Sequence, residues 1–309
     1  MKTMADVPRS RVAGIVLAFA AAIVSGVSVF VNGYGTKRFP SATVYTTAKN
    51  LVAALLLIGI ATVAHRARPA APVPRDRPTV AGLIAVGVIG GGVPFVLFFE
   101  GLARATTADA AFIQKTLVVW VALLAVPLLH ERIGGWHLAA IGLLVAGQAL
   151  LTHNLSALRI GRGETMIFAA TLLWAVETVI AKRLLARVEP ETLGVVRMVV
   201  GSALLVGWCA VTGRLHALLL LSRPGVEWAL ITGLLLAAYV TLWFSALARA
   251  QAVDVTAVLV VGAVITAFLD ALVQGKALAP DTLGLLMLVG GGIAMVVAAS
   301  RETPEVVRA

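Results

Sequence analysis

Apolar residues in this chain fall in long unbroken runs rather than in short alternating patches. Ten runs stand out, at about 12–34, 43–64, 79–99, 106–129, 135–152, 165–185, 192–212, 226–244, 253–273 and 281–299. Each is close to the ~20 residues that cross a ~30 Å hydrocarbon core as a helix. Backbone amides in lipid must be paired internally, which leaves helices or closed barrels. The runs lack the two-residue alternation of a barrel strand. The pattern therefore predicts an all-α integral membrane protein with ten transmembrane helices. The first run follows Lys2, Arg9 and Arg11, as the apolar part of a signal peptide would. At about 20 residues it exceeds the usual 7–15, and it has a counterpart later in the chain, so it is expected to be a retained span.

That counterpart belongs to a repeat. Phe98 to Ala111 reads FFEGLARATTADAA, and Trp243 to Thr256 reads WFSALARAQAVDVT. At an offset of 145 residues, six of these fourteen positions are identical: Phe99/Phe244, Leu102/Leu247, Ala103/Ala248, Arg104/Arg249, Ala105/Ala250 and Asp109/Asp254. The same offset relates Lys37-Arg38 to Lys182-Arg183, Asn32 to Glu177 and Gly147 to Gly292; three further residues in the second copy bring Lys49 onto Arg197. A duplication of this extent decides the architecture. Residues 11–154 and 163–300 read as two five-helix repeats. Five is odd, so the second repeat enters the membrane upside down relative to the first. Such inverted repeats place a substrate site near the bilayer midplane, between the halves.

Composition agrees. Sixty per cent of residues are apolar and 13% are charged, with mean hydropathy +0.98; a soluble domain carries about 25% charged residues. The net charge of +10 does not point to nucleic acid. Its Lys and Arg residues stand singly or in pairs between apolar runs, as membrane anchors do, and no basic stripe interleaves with aromatics. With the N-terminus inside, fourteen Lys and Arg fall on the inner side against eight outside. That excess predicts a multi-pass protein of the cytoplasmic membrane with both termini cytoplasmic. The single cysteine, Cys209, excludes an intrachain disulfide framework and a Cys-based zinc site. The segment Arg66 to Pro78 is the most exposed predicted loop, and the segment from Asn154 to Gly163, with an Asn154-Leu155-Ser156 sequon, joins the halves.

The order of certain residues resembles the EamA type of the drug/metabolite transporter superfamily. Leu173-Trp174-Ala175 is followed by Lys182, Pro190 and Arg197, as in that family's second repeat. His130-Glu131-Arg132, ahead of the helix holding Gly142 and Gly147, looks like the family's acidic residue between helices four and five. The resemblance spans about residues 12–299. Departures are the first helix, which reads Ser25-Gly26-Val27-Ser28-Val29-Phe30-Val31-Asn32 without a Trp; Gly275-Lys276 where the first repeat has His130-Glu131; and Gln114-Lys115 in the fourth helix. The resemblance implies secondary transport, commonly export of small metabolites from the cytoplasm. Separately, a proton is a candidate coupling ion and a homodimer a candidate assembly.

Candidate site residues follow from the cost of charge in lipid, about 2.5–3.5 kcal/mol or more per group near the centre. Lys115 lies nine residues into the fourth run, roughly 13 Å deep at 1.5 Å per residue. It is expected to face the central cavity, or else to pair with Glu177 or to be exposed to lipid. Glu177 is a candidate proton carrier, or the fixed partner of Lys115, Arg197 or a backbone group. Lys49 and Arg197 either contact substrate or snorkel from near a helix end. Gln114, Trp120, Trp174, Tyr239 and Trp243 are candidates for the cavity wall, Trp120 and Trp174 being the deeper tryptophans. Glu100 and Arg104 are expected to form a surface or gate ion pair. Asp109 and Asp254 are read as first-turn acids facing a helix dipole.

Enzyme motifs do not appear. His130-Glu131 lacks a second His at metalloprotease spacing, and neither a Gly-x-Ser-x-Gly elbow nor a phosphate loop is present. No catalytic residue, metal or cofactor is assigned. The expected function is secondary transport, with export, of small organic metabolites such as amino acids or other carboxylated and anionic compounds, by alternating access. The alternatives are multidrug efflux, which would want an acidic aromatic cavity, and a non-transporting or lipid-modifying membrane protein.

Overall fold

The computed structural model describes residues 6–67, 73–151, 161–275 and 282–301. The sequon at Asn154, Arg159, Lys276, and the loop or tail cations Lys2, Arg68 and Arg308 lie outside the described residues. Among the described residues the chain is wholly helical. The elements are α1 (Asp6–Gly35), α2 (Ala42–Ala67), α3 (Arg77–Val86), a π-helical turn (Gly87–Gly92), α4 (Val93–Leu102), α5 (Thr107–Lys115), α6 (Leu117–Leu129) and α7 (Gly135–Leu151) in the first repeat. The second holds α8 (Arg162–Leu184), α9 (Pro190–Val211), the short α10 (Leu215–Leu219), α11 (Arg223–Leu247), α12 (Ala252–Val260), α13 (Gly262–Gln274) and α14 (Thr282–Arg301). Joined end to end, α3–α4, α5–α6 and α12–α13 each make one crossing. Nine crossings among the described residues are long and apolar enough for a membrane; α7, at 17 residues, is the shorter tenth.

Local chemistry marks the ends. Asp76 accepts the Thr79 backbone N–H at the start of α3, Thr106 accepts that of Asp109 at the start of α5, and Ser222 that of Gly225 at the start of α11. Pro190 opens α9, where a missing N–H costs nothing. Two matched interruptions were not expected. Thr116 separates α5 from α6 and Val261 separates α12 from α13; they are 145 residues apart. The C-caps of α6 and α13, His130 (φ 55°) and Gly275 (φ 67°), share the offset and the left-handed conformation. The inverted repeat is thus written into backbone geometry as well as sequence.

The end of the bundle where α1 begins is called the near end, and the opposite end the far end. α7 and α14, the fifth helices of the two repeats, lie against each other, with the Gly147 and Gly284 backbones so close that a Cβ on either would come within 3 Å of the other's carbonyl oxygen. Large apolar side chains such as Leu55, Val63, Val211 and Leu272 stand exposed on the outside, where lipid is the solvent.

Candidate functional site

A cavity of about 160 Å³ lies between the repeats. α1 supplies Ser25, Ser28, Val29 and Asn32; α2 supplies Lys49, α4 Phe95, and the α5–α6 junction Gln114 and Leu117. From the second repeat come Trp174, Glu177 and Thr178 of α8, Arg197 of α9, and Leu236, Tyr239 and Trp243 of α11. Trp243 and Tyr239, four residues apart on α11, stack at 6.1 Å between ring centroids.

Two cations in this wall occupy equivalent places in the repeats and are treated differently. Arg197 is buried; its Nε donates to Glu177 Oε1 at 2.6 Å and its Nη2 to the Gly90 carbonyl at 3.0 Å. That carbonyl belongs to the π-helical turn, and it also accepts Trp174 Nε1 at 3.1 Å. The turn can approach only because it is glycine: a Cβ on Gly90 would lie 2.2 Å from Glu177 Cδ, and one on Gly91 2.3 Å from the Arg197 carbonyl oxygen. Lys49 is equally buried, at 4% exposure. Its ammonium stands 4.6 Å from the centroid of Phe99 and 5.0 Å from that of Tyr45, and among the described residues it has no hydrogen-bond or ion-pair partner. Arg197 in turn lies over Phe244 at 6.0 Å. Each repeat therefore sets its buried cation against the matching Phe, and only the second provides a carboxylate. At the position equivalent to Glu177 the first repeat has Asn32, whose Oδ1 accepts the Tyr45 hydroxyl.

The two duplicated turns are also engaged unequally. At the near end, Lys182 Nζ donates to the carbonyls of Leu247 and Ala250 at 2.6 Å each. Glu131, reaching across from the other repeat, accepts the Ala252 and Val253 amides at 2.6 and 3.1 Å and so caps α12. Burial pushes its carboxyl above the usual carboxylate range, against the pull of those two amides. Asp254 is fully buried; it meets Arg11 Nη2 at 2.9 Å and His137 Nε2 at 3.1 Å. α12 packs on α6, α7 and α8. At the far end the equivalents differ. Lys37 is exposed, and Asp109 is satisfied locally by Thr106 at 2.7 Å. α5 forms no comparable contact with α13, α14 or α1 among the described residues. Glu100 there binds Arg104 at 2.9 Å, Thr43 at 2.6 Å and Arg214.

Of the residues singled out in the sequence, Gln114, Glu177, Trp174, Lys49, Arg197, Tyr239 and Trp243 meet around the cavity. Lys115 and Trp120 do not. Successive helical residues project about 100° apart, so when Gln114 faces inward Lys115 turns away. It is half-buried, without an ion-pair or hydrogen-bond partner among the described residues, and does not bind Glu177. Trp120 packs edge-on to Phe168 and donates to Thr116 Oγ1 at 3.1 Å. The snorkelling alternative for Lys49 and Arg197 fails, since both are buried. Asp254 is a first-turn acid of α12, as expected, and is in addition ion-paired with Arg11 and bonded to His137. Sequence reasoning missed Ser25 and Ser28 as cavity residues. Their signal was present: Ser25, Ser28 and Asn32 are spaced three and four apart, one face of an otherwise apolar span. His65, Glu189 and Glu191 at the near end bring ligand atoms within 4.8 Å of one another, enough donors for a divalent cation, but Glu191 is exposed in the manner of an ordinary surface acid.

No curated protein matches the chain. A solved crystal structure superposes with TM-score 0.75 at 17% sequence identity, covering 95% of this chain and 100% of that one, a likeness of fold. The pattern of the EamA-like transporter family matches residues 12–153 and again 161–298, one match per repeat. Duplicated five-helix halves, an inter-repeat cavity and this double match lead to one conclusion: the chain belongs to the EamA-like transporter family, and is a multi-pass membrane transporter of small molecules rather than an enzyme.

Proposed function

We propose that this protein exports small organic metabolites bearing an anionic group, amino acids and other carboxylated compounds among them, by alternating access. The membrane is the cytoplasmic one and both termini are cytoplasmic. The observation that carries the reading is the charge of the cavity. Among its lining residues Lys49 and Arg197 oppose one carboxylate, Glu177, so the wall is net positive. Multidrug efflux is disfavoured by the same wall and by its size: drug-sized ligands occupy pockets of roughly 300–1,000 Å³, against about 160 Å³ here.

Alternating access is supported by the unequal turns. The near end is latched through Lys182, Glu131 and Asp254, while Lys37 and Asp109, the described equivalents of Lys182 and Asp254, make no such contacts at the far end. In the exchanged state Lys37 would take the carbonyls of Leu102 and Ala105, as Lys182 takes those of Leu247 and Ala250. With the near end cytoplasmic, the present state faces outward. Proton coupling falls to Glu177, the carboxyl group of the cavity wall, and homodimer assembly is a matter for mass measurement in detergent. Efflux of labelled amino acids and organic acids from proteoliposomes tests the reading. A saturable, protein-dependent flux of an anionic or carboxylated solute is expected; flux confined to lipophilic cations would overturn it.

A further inference from the structure

Resting on that transport reading, we infer that the cavity's ligand is a small organic monoanion whose carboxylate supplies the counter-ion that Lys49 lacks. The repeats themselves make the comparison. Both set a buried cation over an equivalent Phe, Lys49 on Phe99 and Arg197 on Phe244. Arg197 has its carboxylate built in, at 2.6 Å. The same place in the first repeat holds Asn32, a neutral group already bound to Tyr45. Lys49 thus faces the cavity with 4% exposure, and among the described residues its ammonium meets the ring faces of Tyr45 and Phe99 and no opposite charge. Ring quadrupoles offset part of the cost of removing an ammonium from water, and a buried charge without an opposite one is left strongly under-compensated.

The charge count sets the ligand's valence. Glu177 neutralises Arg197, so one positive charge in the wall is uncompensated. A monocarboxylate balances it. A dicarboxylate or phosphate dianion would bring a second negative charge with no partner. A zwitterionic amino acid would bring an ammonium group, and the wall's one carboxylate is already engaged by Arg197. The rest of the ligand is small, since 160 Å³ is about five times the ~30 Å³ share of one water. Ser25, Ser28 and Gln114 can hydrogen-bond a hydroxyl or carbonyl oxygen, and the Tyr239–Trp243 stack offers an apolar wall. Short hydroxy- or oxo-monocarboxylates have this chemistry, and amino acids become an outcome of the test.

The experiment measures binding to the purified full chain by calorimetry, with lactate, pyruvate, glycolate and butyrate as monoanions and alanine, succinate and inorganic phosphate as comparisons. Asn32→Asp installs the missing counter-ion while keeping an acceptor for Tyr45. Lys49→Met removes the charge, and Lys49→Arg keeps it. At least one monocarboxylate should bind the wild type. Its affinity should fall about tenfold or more in both Asn32→Asp and Lys49→Met and survive in part in Lys49→Arg. Asn32→Asp should be at least as heat-stable as the unliganded wild type, which separates lost binding from lost fold. The proposal is overturned if alanine, succinate or phosphate binds as tightly as every monocarboxylate, if none of the four binds, or if Asn32→Asp binds unchanged. Binding without any flux in proteoliposomes would remove the transport reading and leave this site standing. Flux of other solutes that is indifferent to Lys49→Met would do the reverse.

Discussion

Arg197→Met should be among the most damaging single substitutions in this protein, and Glu177→Gln should rescue it. The pair is buried on both sides, with side chains 7% and 3% exposed and Nε 2.6 Å from Oε1. Removing the guanidinium strands a carboxylate among Gly90, Trp174 and Thr178, and breaking one side of such a pair typically costs about 3–5 kcal/mol. Replacing both partners by neutral groups of similar volume is often close to neutral. The Gly90 carbonyl supports that expectation here, because Trp174 Nε1 still donates to it when Arg197 is gone. The assay is reversible unfolding in mixed micelles for wild type, the two singles and the double. The singles should each lose several kcal/mol and the double much less than their sum, a coupling of at least about 2 kcal/mol. Singles costing under about 1 kcal/mol, as exposed pairs do, or strictly additive losses, would refute the reading that this is a buried, coupled pair.

Four further outcomes follow from the same geometry. Gly90→Ala would place a Cβ 2.2 Å from Glu177 Cδ and should cost about 1–3 kcal/mol or more, whereas Gly207→Ala, with nothing within 4 Å, should unfold like wild type in the same micelles. Lys182→Met should expose near-end cysteine probes to membrane-impermeant thiol reagents, while Lys37→Met should leave this state intact and slow the full transport cycle; equal labelling in both variants would contradict the exchanged-latch reading. Burial raises the Glu131 carboxyl above its ordinary 4.5, so the folded protein binds more protons than the unfolded chain just above that value, and stability falls as pH rises through the window; Glu131→Gln should flatten that slope in a pH series of melting curves. Lys115→Met should retain flux in proteoliposomes, because Lys115 turns away from the cavity; abolished flux in well-folded protein would return it to the mechanism.

Much of this protein was legible in the order of its residues. Lipid leaves the backbone few choices, so long apolar runs had to be helices. A duplication at 145 residues with five runs per copy had to be inverted. The same offset paired Asn32 with Glu177 and, with three extra residues, Lys49 with Arg197, the four positions on which the cavity's charge turns. Which way each side chain points was not legible. Gln114 and Lys115 are neighbours in sequence but project about 100° apart, and only the rotation of α5 against its partners selects between them. The helix interruption at Thr116 has no glycine or proline beside it, and the matching one at Val261 has only Gly262. The pairing of Glu131 with the α12 amides, and of Asp254 with Arg11 and His137, joins residues more than a hundred positions apart. The duplicated turns share the run Leu-Ala-Arg-Ala and an Asp, yet one is engaged from the other repeat and the other is satisfied locally. Sequence repeats determined the symmetry of this protein; the tertiary structure decided which of the two turns is engaged, because the partners of that turn, Glu131, Arg11 and His137, come from segments more than a hundred residues away.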